Sequence, residues 1–247
     1  MNAKTQRLCI WSGVVLLVAF GLGLLIAGFL PPPSPDQSAD QVAQIYLADQ
    51  NRIRAGMILI LLGVPFMVPF VVVLGLQMWR AEGRVAPLAL IQLITGGLGV
   101  FIIALPALFW AYAAFRPAER TPADLSQLHD MGWLTLVGAA GLVMMQNLSI
   151  GLCVFLQGER TVFPRWYGYL NIWAVLLFAP GFAVYCFHSG PFAWNGVITF
   201  WIPAATFFSW FGLTLWLLFK AVADDERAYK AGVANGAVAT ALSPAPA

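Results

Sequence analysis

Residues 131–157 read MGWLTLVGAAGLVMMQNLSIGLCVFLQ, twenty-seven positions without one Asp, Glu, Lys or Arg. A bilayer core about 30 Å thick needs roughly 20 apolar residues at a rise of 1.5 Å each. Inside lipid every backbone N–H and C=O must be paired within its own segment, so such a stretch is a helix. Working outward, five more uncharged apolar stretches appear, at 8–30, 55–79, 88–115, 166–188 and 196–219. All 13 basic and 11 acidic residues lie in the gaps and tails. The fold expected is all-α: one polytopic bundle of six transmembrane helices over residues 1–219, followed by a disordered cytoplasmic tail over 220–247. At 60% hydrophobic and 10% charged, the 247 residues leave no room for a soluble domain.

The basic residues set an orientation. Lys4, Arg7, Arg80, Arg84, Arg160, Arg165, Lys220, Arg227 and Lys230 fall on the side of the termini, against Arg52, Arg54, Arg116 and Arg120 on the other. Nine against four puts both termini inside under the positive-inside rule. The run at 8–30 is longer than a signal-peptide core and has no clean cleavage motif after it, so it reads as a span. Cys9, Cys153 and Cys186 are too few and too scattered for a disulfide framework and read as small buried hydrophobes.

Two outer loops carry helix-start signals. Ser34-Pro35-Asp36-Gln37 reads as an N-cap, a first-turn proline and a capping-box Gln. Ala39, Val42, Ile45, Tyr46 and Ile53 then recur near helical spacing opposite Asp40, Gln44, Asp49 and Arg52. This predicts an amphipathic outer-surface helix of about five turns between spans 1 and 2. Thr121-Pro122-Ala123-Asp124 repeats the device and opens a helix running into the fourth span. The third outer connection, 189–196, is short, glycine-rich and uncharged, which predicts a tight turn with an aromatic wedge.

Composition excludes several function classes. A net charge of +2 does not suggest a nucleic-acid partner. No ionisable group interrupts the apolar stretches, which argues against a proton-coupled pump or a voltage sensor. A phosphate-binding G-x-x-x-x-G-K-[ST] loop is missing. Two histidines are too few for a di-iron or multi-haem centre. His129, His188 and Cys186 share one depth at the outer face, so a single metal or haem there is the oxidoreductase reading, set against histidines that merely cap helix ends. No catalytic pattern and no cofactor is implied.

The polar residues within the spans are the candidate site. Gln146, Asn147 and Ser149 lie near the middle of the fourth span, and Thr206 and Ser209 near the middle of the sixth. Pro65 and Pro69 flank the middle of the second and should disrupt its hydrogen-bond ladder. Pro106, Pro180 and Pro203 are expected to interrupt three more. Interrupted helices meeting polar side chains at the midplane are how many carriers build a site. The competing reading makes the same residues interhelical glue, and a second layer of Gln92, Gln157 and Asn171 invites the same question. Of the ten tryptophans, Trp11, Trp79, Trp166 and Trp216 at one end and Trp110, Trp133 and Trp194 at the other read as interfacial belts. Trp173, Trp201 and Trp210 lie deeper and are the candidates to line a cavity.

Phe163-Pro164-Arg165-Trp166-Tyr167-Gly168-Tyr169-Leu170-Asn171-Ile172-Trp173, with Gly190-Pro191-Phe192-Ala193-Trp194-Asn195-Gly196 and Phe200-Trp201-x-Pro203, resembles bacterial six-span integral membrane proteins of unknown function. The resemblance extends over most of the chain. It implies a multi-pass protein of the bacterial cytoplasmic membrane and no activity. The residues point first to a protein that binds or passes a small neutral hydrophobic molecule, such as a lipid, a sterol-like compound or a quinone, through a charge-free cavity. The alternative is a structural or assembly subunit. Expected partners are membrane lipids, a small hydrophobic ligand, and a partner protein or further copies of the chain.

Overall fold

The computed structural model describes residues 2–83, 85–158 and 161–234. Among the described residues there are helices and no strand, and six helical segments are long and apolar enough to cross a membrane. They are Ala3–Ala27, Gln50–Glu82, Pro87–Phe115, Pro122–Leu156, Arg165–Tyr185 and Gly190–Ala231. The all-α six-span reading is thus what the structure shows.

The first span is a single helix, α1 (Ala3–Ala27), closed by Gly28 in the left-handed region. The short helix α2 (Ala39–Ala48) follows. Its start corrects the expected cap. Ser38 is the N-cap, Gln41 returns its side chain to the Ser38 backbone, and Ser34 instead holds a tight turn with Asp36. Prolines 31, 32, 33 and 35 keep the chain out of helix, and Pro35 sits inside the turn that Ser34 holds. The helix is therefore 10 residues, not five turns; it buries Val42, Ala43 and Tyr46 against the bundle. By contrast, Thr121 caps α7 (Pro122–Gly138) with Asp124 as its reciprocal partner, as the sequence predicts.

Every later span is broken. The second divides into α3 (Gln50–Gly63) and α4 (Met67–Glu82) around a 3-10 turn, Val64–Phe66, that contains Pro65. The third divides into α5 (Pro87–Leu98) and α6 (Val100–Phe115) at Gly99. Pro106, expected to interrupt this span, sits inside an unbroken α6; the break follows the Gly96-Gly97 pair instead, where backbone freedom is greatest. The fourth divides into α7 and α8 (Ala140–Leu156) at Ala139. The fifth is α9 (Arg165–Phe178) followed by a 3-10 segment, Ala179–Tyr185, with Pro180 in its first turn. The sixth begins as a π-helix, Val197–Trp201, and becomes α10 (Ile202–Ala234). Pro203 lies just past the change from π- to α-helix, so the irregularity expected of it falls on the π-helix before it.

Residues 220–234, expected to be part of a disordered tail, continue α10; the rest of that tail, 235–247, lies outside the described residues. The extension is held by charge. Arg80 pairs with Asp225, and Glu226 with Arg7 (2.8 Å) and Lys230 (2.9 Å). Beneath them Gln77 donates to Gln6 at 2.7 Å. At the opposite end Gln50 and Arg54 donate to the last carbonyls of α6, closing a helix terminus that carries negative partial charge. Small residues set the closest approach of spans 1 and 2, where a side chain on Gly56 would meet the Gly23 carbonyl and Ala27.

Candidate functional site

Four layers stack between the α2 end of the bundle and its centre. The outermost is a pocket of about 400 Å³. It is lined mainly by polar groups, among them Asp36, Gln37, Ser126, Asp130 and His188, with Trp194 as an aromatic wall. The pocket brings both predicted histidines to one place, since His129 also lines it; exposed Cys186 does not.

The second layer is an aromatic cluster around His129, which is fully buried. Trp133 Nε1 donates to His129 Nε2 at 3.1 Å, and Trp110 Nε1 to the His129 carbonyl at 3.3 Å. An indole N–H only donates, so Nε2 carries no proton and Nδ1 must. The Nδ1–H therefore donates to the Tyr46 hydroxyl at 3.0 Å. That tautomer follows from the hydrogen-bond network and makes the imidazole neutral. Burial, with Asp130 nearby, pushes the Tyr46 phenol well above its ordinary value, so it too stays neutral. Both ring nitrogens of His129 are thus engaged, and among the described residues no three His, Cys, Asp or Glu side chains gather as metal ligands. Trp110, Trp133 and Trp194, read from the sequence as an interfacial belt, are buried here instead. The belt at the other end, Trp11, Trp79, Trp166 and Trp216, is exposed as expected.

Trp194 arrives on the 189–196 connection. Gly190 takes φ +78°, and a side chain on Gly196 would strike the Pro191 carbonyl, so both positions need glycine. Trp194 Nε1 donates to the Pro33 carbonyl at 2.9 Å, tying this loop to the proline-rich one. Trp133 stacks on Trp194 and meets Phe200 edge-on, 6.0 Å between centroids. Since Trp194 lines the outer pocket and Phe200 the cavity beneath, Trp133 stands between the two.

The third layer is an apolar cavity of about 150 Å³ with no charged residue in its lining. Each broken span contributes residues at or beside its break: Met67, Gly99, Ala139, Phe178 with Gly181, and Thr199 with Phe200. Phe20, Gly21 and Leu24 of α1 complete the wall. Phe208 also lines the cavity and is 38% exposed, so the cavity meets the bundle surface between α1 and α10. Enclosed apolar cavities of about this size take guests such as benzene.

The fourth layer holds the predicted polar residues. Gln146 and Asn147 are both buried. Asn147 Nδ2 donates to the Val143 carbonyl at 2.8 Å, but its Oδ1 and the Nε2 of Gln146 find no partner among the described residues. Gln146 lies against Gly96 of α5, where a Cβ would come within 2.6 Å of its Nε2, and Val71 of the second span meets that same position. Ser149 and Thr206 return their hydroxyls to their own helices, on Gln146 O and Ile202 O, both at 2.8 Å. Ser209 and Trp173 are exposed on the outside of the bundle. Trp210 is buried in a closed network, its Nε1 donating to Asn171 Oδ1 at 2.9 Å and its carbonyl accepting from Thr214, which meets Tyr167 at 2.7 Å. Gln157 caps a loop through Val162 and Phe163. Pro65 and Pro69 are absent from the cavity lining; the broken turn at Pro65 leads into Met67, which is there.

The cavity lining itself escaped sequence reading. Its signals were the Gly96-Gly97-x-Gly99 and Gly138-x-x-Gly141 runs, which mark breaks without saying what the breaks face. No protein-family model matches the chain, and no curated protein or solved structure matches it.

Proposed function

We propose that this membrane protein binds, and lets pass, a small neutral hydrophobic molecule through the apolar cavity. One observation carries this reading: the breaks of five spans converge on one charge-free cavity. A broken helix leaves backbone groups without their ladder partners, an arrangement tolerated at membrane depth where the chain is buried or lines a cavity. Five breaks around one void are more than packing requires. Contact of the cavity with the bundle surface at Phe208 fits a guest drawn from the bilayer. The uncharged lining argues against an ion or amino acid, whose charge would go unpaired.

The test is extraction. Protein purified in mild detergent and then extracted with organic solvent is expected to yield one apolar small molecule in near-stoichiometric amount by mass spectrometry. Recovery of annular phospholipid alone, with no thermal shift on adding short-chain apolar guests, would remove the reading.

We place the protein in the cytoplasmic membrane of a bacterium with both termini inside, on the basic-residue bias and the resemblance noted above. In a background without the three native cysteines, single cysteines at exposed Gln44 and Ser189 should react with an impermeant thiol reagent in sealed cells. A cysteine at exposed Val85 should react only after lysis. The opposite pattern inverts the topology.

A further inference from the structure

Below the apolar cavity lies a polar layer whose hydrogen bonds are incomplete. Asn147 is one turn beyond Val143, a cavity residue, and Gly96, against which Gln146 rests, is three residues before Gly99, another. Val71, one turn beyond cavity-lining Met67, packs on the same Gly96 position and accepts a long contact from Gln92 Nε2 at 3.5 Å. On spans 2, 3 and 4 alike, the layer therefore sits about one helical pitch, roughly 5.4 Å, past the cavity floor. The groups left without partners in the protein are Gln146 Nε2, a donor, and Asn147 Oδ1 and Gln92 Oε1, both acceptors. All three residues are at most 1% exposed. Lipid-buried amides normally complete their bonds, as the Asn171–Trp210 network one helix away does. Gln92 Oε1 lies a turn further from the cavity, against Gly75, but Gln146 and Asn147 are both incomplete one turn below the cavity and mark a place where something else supplies the missing partners.

Resting on the cavity reading, we propose that the occupant is a lipidic alcohol: its chain fills the apolar cavity, and its hydroxyl accepts from Gln146 Nε2 and donates to Asn147 Oδ1. The chemistry selects the head group. A quinone or ketone oxygen only accepts, so it would satisfy Gln146 and leave Asn147 Oδ1 bare. A hydrocarbon satisfies neither. A carboxylate or ammonium would bring a charge to a layer where no described Lys, Arg, Asp or Glu lines the cavity above it. A hydroxyl is the smallest neutral group that both donates and accepts.

The experiment uses full-length protein in phosphatidylcholine nanodiscs and tritiated 1-decanol, with empty discs subtracted. Saturable binding near one per chain is expected. Unlabelled 1-decanol should compete, and decane, 2-decanone and decanoic acid should compete at least tenfold less well. Gln146→Leu and Asn147→Leu should each weaken decanol by roughly fivefold to tenfold, the size of one net hydrogen bond, while radiolabelled decane binds them as it binds wild type. Equal competition by decane and decanol on the wild-type protein overturns the head-group assignment even if a leucine variant fails to fold, and it leaves the cavity reading intact. Folded leucine variants that hold decanol at wild-type affinity overturn it as well. No saturable binding of any probe brings down the cavity reading and this one together.

Discussion

Gly132→Val should lower the melting temperature of the detergent-purified protein by roughly 10 °C, taking about 2–4 °C per kcal/mol for a chain of this size. Any side chain at 132 overlaps the Trp110 indole, which packs directly on that position. Overfilling a tight core costs about 1–3 kcal/mol. Moving Trp110 also breaks its bond to the His129 carbonyl and leaves buried groups unpaired, which adds a similar amount, about 1–3 kcal/mol. The damage concentrates because His129 is the hub: Tyr46 from α2, Trp133 one turn along α7, and Phe29 and Trp194 from two loops all meet its ring. Gly212→Ala is the control, since a Cβ there meets nothing within 4 Å and alanine favours the helix. A Gly132→Val protein that melts with the wild type would mean the aromatic cluster is loosely packed and contributes little.

Filling the cavity should have the largest effect on binding. Ala204 lines it from the first turn of α10. Ala204→Trp places an indole into a void of about 150 Å³ and should abolish saturable binding of apolar guests outright. Thermal stability should hold or rise, because a side chain that fills a void gains contacts the empty wall lacks. That pairing of lost binding with retained stability separates a binding cavity from a packing defect. Wild-type affinity in a folded Ala204→Trp protein would place the guest elsewhere, and the outer polar pocket would become the next candidate.

The spans were legible because the bilayer imposes a length and a composition that soluble folding does not. The Thr121 cap was legible because capping is local chemistry, decided within four residues. The Ser34 cap was misread for a related reason: Ser34-Pro35-Asp36-Gln37 and Ser38-Ala39-Asp40-Gln41 carry the same signal four residues apart, and the first closes a separate turn while the second opens the helix. Pro106 shows the reverse error. A proline inside an apolar stretch need not break it, and the α5–α6 break fell on Gly99 instead. His129 and Trp133 at i and i+4 declare a shared helix face, but not that Tyr46, Phe29, Trp110 and Trp194 converge on it from four other segments. Tryptophans near span ends gave the interfacial reading for all seven; at the α2 end, three turned inward because α2 and the 189–196 loop cover that end of the bundle.

What the sequence determined alone is the number of spans, their helical nature and the presence of uncharged polar groups at their middle, because lipid acts on each segment separately. It also carried the helix breakers in its Pro and Gly positions. Only the tertiary structure decided that five breaks face one cavity, that Trp173 and Ser209 face away from it, and that Asn171 is paired while Gln146 and Asn147 are not. An amide is identical in sequence whether or not a neighbouring helix completes its hydrogen bonds, and completion depends on which helices approach and at what rotation, a property of the assembled bundle.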